Sequence, residues 1–138
     1  MSLQPKKTKF RKFFKPRQLP KAESQIKNLE PKSTLAIVAM ESNLLNGRQI
    51  ESARQNIRRK LKRKGRLLIC VLPDLGISKK ASAARMGKGK GKVNLWVSQV
   101  RAGKTIFLLT GVIEKEGKEA LLSGGKKLPF KIKVFNQI

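Results

Sequence analysis

Between Gly47 and Arg66 nine basic side chains stand against one acid, yet Ile50, Ala53, Ile57 and Leu61 recur at helical spacing among them. That pattern predicts an amphipathic helix with a single apolar stripe for a core. Asn46 precedes it as an N-cap, and Gln49 stands three residues on, as a capping box prefers. Gly65 is placed as the residue that ends it. Arg54, Arg58, Arg59, Lys62 and Arg63 fall largely off the stripe. A helix in water ordinarily mixes charges of both signs, so a face this basic anticipates a polyanion.

The imbalance runs through the chain. Its 138 residues carry 33 Lys and Arg against 8 Asp and Glu, a formal charge of +25. A compact body so charged repels itself unless a partner neutralises it. Nucleic acid is the first candidate and an anionic membrane the second. Hydrophobic residues make up 39% of the chain, enough for a core. No apolar run approaches the ~18 residues of a membrane span, and the first residues lack a signal-peptide core.

Catalytic chemistry finds little to work with. Histidine is absent, which removes the usual general base and the commonest metal ligand. Cys70 is the only cysteine and reads as a small buried hydrophobe within Leu67–Leu72. The acids form no paired carboxylate site; Glu114, Glu116 and Glu119 cluster at a helix start, where a structural role suffices. Gly91-Lys92 is followed by Val93 and Gly125-Lys126 by Lys127, so neither is a nucleotide-hydrolase phosphate loop. No enzyme, cofactor, metal or small-molecule substrate is expected.

Two further segments carry the charge. Residues 1–21 are a basic arm: Lys6, Lys7, Lys9, Arg11, Lys12, Lys15 and Arg17 surround Phe10, Phe13 and Phe14, with no acid. These phenylalanines either stack on bases or fold back on the core. Arg85, Met86, Gly87, Lys88, Gly89, Lys90, Gly91 and Lys92 alternate cation and glycine at the end of a long loop, 73–92. Such a segment is either a flexible linker or a phosphate-binding element that a polyanion orders.

The remaining pattern predicts strands at 35–40, 67–72, 93–98, 105–109 and 130–134, with a linker at 22–33. Thr105 to Leu109 should return on Val93 to Ser98 as a hairpin about Arg101–Lys104. A second helix is expected over about 114–127, weakened by Gly117, Gly124 and Gly125 by up to ~1 kcal/mol each. The order makes residues 34–138 one α+β domain, two helices on one side of a mixed or antiparallel sheet.

Four blocks resemble the family of bacterial-type large-subunit ribosomal protein sixteen, called ten in archaea and eukaryotes. They are Leu3–Lys12, Arg48–Arg54, Ala84–Gly91, and Val93–Val97 with Gly103-Lys104 and Gly111-Val112. The resemblance implies a hammerhead-like α/β sandwich that binds large-subunit rRNA beside the aminoacyl-tRNA site. It further implies that the 85–92 loop reaches toward the peptidyl-transferase centre and tRNA, among neighbouring ribosomal proteins. Residues 18–34 lack the family's glycine-rich stretch, and Gly124-Gly125 replace alanine-like residues. This drift, with no added presequence, suggests a mitochondrial ribosome, with bacterial cytoplasm or plastid as alternatives. A DNA-compacting or general RNA-binding architectural protein is the alternative function, and a membrane-active cationic protein a further one.

Overall fold

The computed structural model describes residues 3–16, 19 and 34–137. The expected linker and Arg17 lie outside them. The elements run β1 (Thr34–Ala39), β2 (Asn43–Asn46), α1 (Gly47–Lys60), β3 (Arg66–Ile69), β4 (Leu75–Lys79), β5 (Lys92–Val100), β6 (Thr105–Thr110), α2 (Glu114–Gly125) and β7 (Ile132–Gln137). The strands form two sheets, ordered β3-β6-β1-β7 and β2-β5-β4, and every pairing is antiparallel. Helices α1 and α2 pack together, α2 against β1 and β7, α1 against β2 and β5. The α+β class with two helices on antiparallel sheets is as expected.

Helix α1 starts for the reason its sequence suggests. The Asn46 amide donates to Gln49 Oε1 at 3.0 Å while Asn46 Oδ1 accepts from the Arg48 amide at 3.3 Å. Ile50, Ala53, Ile57 and Leu61 are all buried and join β1, β6 and α2 in one core cluster. The helix stops sooner than expected. Lys62 and Arg63 take left-handed φ values of 48° and 68°, so they form a turn beyond the helix and not part of its face. Gly65 has a different task from the one assigned to it: a Cβ there would lie 2.2 Å from Val112 Cγ2 and 2.7 Å from the Thr110 oxygen. Its bare Cα lets β3 begin hard against the end of β6.

The glycines of α2 are packing residues. A Cβ at position 124 would sit 2.4 Å from Ile57 Cγ1, and one at 117 would sit 2.4 Å from Leu35 Cδ1. At 125 it would meet Ile132 at 2.7 Å. The ~1 kcal/mol that each glycine costs the helix is offset by close approach to α1, β1 and β7. Gly124→Ala is therefore expected to destabilise the protein by about 1–2 kcal/mol, overpacking outweighing the gain in helix propensity. A thermal melt should show a drop of several degrees; a rise would mean that the helices are not in contact there.

Four expectations need correction. The hairpin of β5 and β6 does not form: the turn between them bonds to the end of β1 (Gly103 amide to Ala39 oxygen 2.7 Å, Ala39 amide to Lys104 oxygen 3.0 Å). The chain thus changes sheet there, β6 joining β1 and β3 while β5 joins β2 and β4. The apolar run expected as a strand over 67–72 is strand only as far as Ile69. β3 is the edge of its sheet, and Leu68 (42%), Cys70 and Leu72 (58%) share an exposed side. Cys70 is consequently not a buried hydrophobe, although partial burial still pushes its thiol pKa up, against the pull of Lys104. The stretch 73–92 is not loop throughout, since it opens with β4, whose partner is β5. Finally, Val93, Leu95 and Val97 alternate with Asn94, Trp96 and Ser98, a pattern that predicts one dry face, and β5 does not keep it. Val97 and Ser98 are adjacent, so they point to opposite faces, and both are buried, as is Val100; both faces are covered at this end of the strand.

Candidate nucleic-acid interface

The arm runs over the three-stranded sheet. Leu3 packs against the core, its carbonyl oxygen 3.3 Å from where a Cβ on Gly47 would stand. Further on, a Cβ at position 76 would lie 2.9 Å from the Arg11 carbonyl oxygen, so a glycine in β4 lets the arm backbone lie directly on the strand. Lys6, Lys7, Lys9, Arg11, Lys12 and Lys15 are all exposed. The phenylalanines divide: Phe10 and Phe14 project into solvent, Phe14 at 92% exposure, whereas Phe13 is half-buried.

The Gly/Lys loop is the extension of the β4–β5 ribbon. Lys79 pairs with Lys92 at its base, and Gly91 makes the neck possible. A Cβ there would sit 2.5 Å from the Lys79 oxygen. Gly87, Lys88 and Gly89 all have left-handed φ, at 89°, 53° and 77°, which curls the tip. Lys80 Nζ bonds the Gly87 oxygen at 2.6 Å. Met86 stands at the tip, 99% exposed.

Arm and loop meet. Lys12 Nζ donates to the Lys90 oxygen at 2.9 Å, Lys90 Nζ donates to the Phe13 oxygen, and the same ammonium lies 4.6 Å from the centre of the Phe14 ring. The two segments that sequence singled out separately thus form one surface. Residues 3–16 supply six Lys and Arg and residues 79–92 six more, with no acid in either. Bringing like charges together is unfavourable in isolation. The Phe13 oxygen and the Phe14 ring face hold the Lys90 ammonium, Lys12 and Lys80 bond carbonyl oxygens within the surface, and the remaining cations are exposed, a disposition that suits a phosphate backbone.

The α1 cations are arranged differently. Arg54 is engaged by Glu51 through two contacts, 2.8 Å from Nε and 2.6 Å from Nη2, so the residue expected on the binding face is partly neutralised within its own helix. Arg58 is half-buried; Arg59, Lys62 and Arg63 are exposed. The turn after α1 borders a depression shared with Glu116 and Glu119 of α2. These cations make a second patch that the structure does not join to the arm and loop. Toward the arm, α1 contributes Arg48 and Gln55 to a groove also lined by Leu3, Asn94 and Trp96. Sequence reading missed Lys79 and Lys80; two adjacent lysines closing the stretch Leu75–Ser78 were the available signal.

Charge-assisted hydrogen bonds from Arg54 hold the Glu51 pKa down, from 4.5 to about 2, against the burial that would raise it. A carboxyl depressed in the folded state stabilises above its unfolded value, and that contribution is lost as pH falls toward the folded value. Glu51→Gln should flatten the acid limb of the stability curve between pH 4.5 and 2 while changing its slope little above that window. Chemical denaturation at stepped pH reads this directly; a limb of unchanged steepness would assign it to other carboxylates.

Among the described residues no group of His, Cys, Asp and Glu could hold a metal ion, and no helix is long and apolar enough to cross a membrane. Residues 5–135 match the family described as ribosomal protein L16p/L10e. The chain is 42% identical over 136 residues to the large ribosomal subunit protein uL16 of Buchnera aphidicola subsp. Acyrthosiphon pisum, covering 99% of this chain and 98% of the relative. The protein of the same description from Chelativorans sp. is also 42% identical, and that from Mesorhizobium japonicum 41%, at the same coverage of 99% and 98%.

Proposed function

Because the chain belongs to the ribosomal protein L16p/L10e family, we propose that the joined arm and loop are the surface by which it grips large-subunit rRNA. It is a structural constituent of the large ribosomal subunit and not an enzyme. The observation that carries the reading is the pairing of Lys12 and Lys90 across arm and loop, which makes one acid-free cationic surface from two distant stretches of sequence. Lys6, Lys7, Lys9, Arg11, Lys12 and Lys15 of the arm and Arg85, Lys88 and Lys92 of the loop contact phosphates. Lys90 fixes the arm to the loop. Arg58, Arg59, Lys62 and Arg63 form a second RNA contact, with Arg54 held back by Glu51. Residues 34–138 act as one rRNA-binding domain, with 1–21 as its arm.

Met86 and the curled tip extend beyond the sheet and support tRNA placement near the peptidyl-transferase centre. The ribosome in question is mitochondrial, a reading supported by the departures at 18–34 and 124–125.

Sedimentation with large subunits through a salt series tests the core of the proposal. Each neutralised phosphate should add roughly 0.7–0.9 to the logarithmic salt slope, so ten contacts give a slope of about 7–9. Release that ignores RNase treatment, or equal affinity for duplex DNA, would overturn the rRNA assignment in favour of a general architectural protein.

A further inference from the structure

A cleft of about 690 Å³ opens where the arm crosses the end of the three-stranded sheet. Phe13, Leu72, Asp74, Gln99, Arg101 and Lys104 line it. Two of these are out of character with a surface built only for phosphates. Phe13 is half-buried in the cleft wall while its neighbours Phe10 and Phe14 are exposed. Asp74 is the acid of this lining, placed on a protein of net charge +25 and close to the acid-free arm and loop. A carboxylate there repels phosphate. It is, however, an acceptor-only group with two oxygens, suited to paired N–H donors.

We propose that this cleft takes one unstacked guanine of the large-subunit rRNA. Its ring lies against Phe13, as splayed-out bases do on aromatic side chains. Its N1–H and N2–H₂ donate to the two Asp74 oxygens, and the Gln99 amide supplies a donor for O6. Lys104, also in the lining, supplies a cation for the adjoining sugar–phosphate. A volume near 690 Å³ falls within the range of small-ligand sites. Guanine is selected because its Watson–Crick edge alone presents two adjacent donors to a carboxylate. The inference rests on the rRNA-binding reading above and adds base recognition to it.

The decisive variant is Asp74→Asn, at an exposed position where folding is not at risk. If only phosphates matter, removing an acid should tighten rRNA binding. Base recognition gives the opposite sign: the affinity of the full chain for rRNA falls roughly five- to a hundredfold, with an unchanged salt slope. Chemical probing of guanine Watson–Crick edges should show one guanine protected by the unaltered chain and reactive with Asp74→Asn. Phe13→Leu should expose the same guanine. Binding by Asp74→Asn as tight as, or tighter than, the unaltered chain, with identical protections, overturns the proposal and leaves the rRNA-binding reading standing. Failure of the unaltered chain to bind rRNA removes both.

Discussion

Ile57→Asp is expected to abolish the folded state. Ile57 is fully buried in the core cluster and is the side chain against which Gly124 of α2 closes. Losing an isoleucine of this kind costs about 2–5 kcal/mol from transfer and cavity terms. An unpaired carboxylate in the same place adds several more, or titrates to its neutral form at a cost of the same kind. Total stabilities of small domains are about 5–15 kcal/mol, so the sum consumes most or all of it. Ile57→Val, which keeps the shape of the contact, should lose only about 0.5–1.5 kcal/mol. Circular dichroism across a thermal ramp separates the two. A cooperative transition for Ile57→Asp at the unaltered temperature would show that the apolar stripe does not face α2.

Replacing Lys88, Lys90 and Lys92 together by alanine should leave the melting transition within about 0.5 kcal/mol of the parent, as for surface changes generally. All three are exposed, and the contacts of Lys90 are to the arm and not to the core. The effect appears in binding. The salt slope for rRNA should fall by about 1.4–1.8, for the two phosphate contacts of Lys88 and Lys92, and reconstituted subunits should hold aminoacyl-tRNA less well. The single changes should differ. Lys88→Ala removes one cation at an open tip, whereas Lys90→Ala also frees the arm at Phe13 and Phe14. Limited proteolysis should therefore cut the arm of Lys90→Ala sooner than that of Lys88→Ala. Equal cleavage would mean that arm and loop are held by other contacts, and aminoacyl-tRNA binding at the parent level by the triple variant would remove the loop from tRNA placement.

What sequence made legible is local, and what it concealed is long-range. Helix α1 could be read because its cap and its stripe lie within sixteen consecutive residues, 46–61. The same holds for α2, found over Glu114–Gly125 against an expected 114–127. Strand β4 was hidden because Gly76 and Ser78 resemble loop residues. Gly76 is small for the sake of the Arg11 backbone, a partner 65 positions away. Gly124 looked like a weakness for the same reason, since Ile57 is invisible in its neighbourhood. The partition of β5 and β6 into different sheets depends on bonds to Ala39, which no local pattern announces. Of the candidate site, the cations themselves were evident from composition. Their union through Lys90 required the fold, whereas the withdrawal of Arg54 by Glu51, an i,i+3 pair on one helix, was within reach of the sequence.

The pairing of β1 with β7 matches Thr34 to Gln137 and Ala39 to Ile132. Roughly a hundred residues separate the two strands, and contacts of such sequence separation are slow to form. During synthesis on a ribosome, β1 emerges early and waits with one flank unpaired until β7 has left the exit channel. Loss of the last strand would therefore leave β1 with an unpaired flank, and the four-stranded sheet closes only when residues 132–137 are in place.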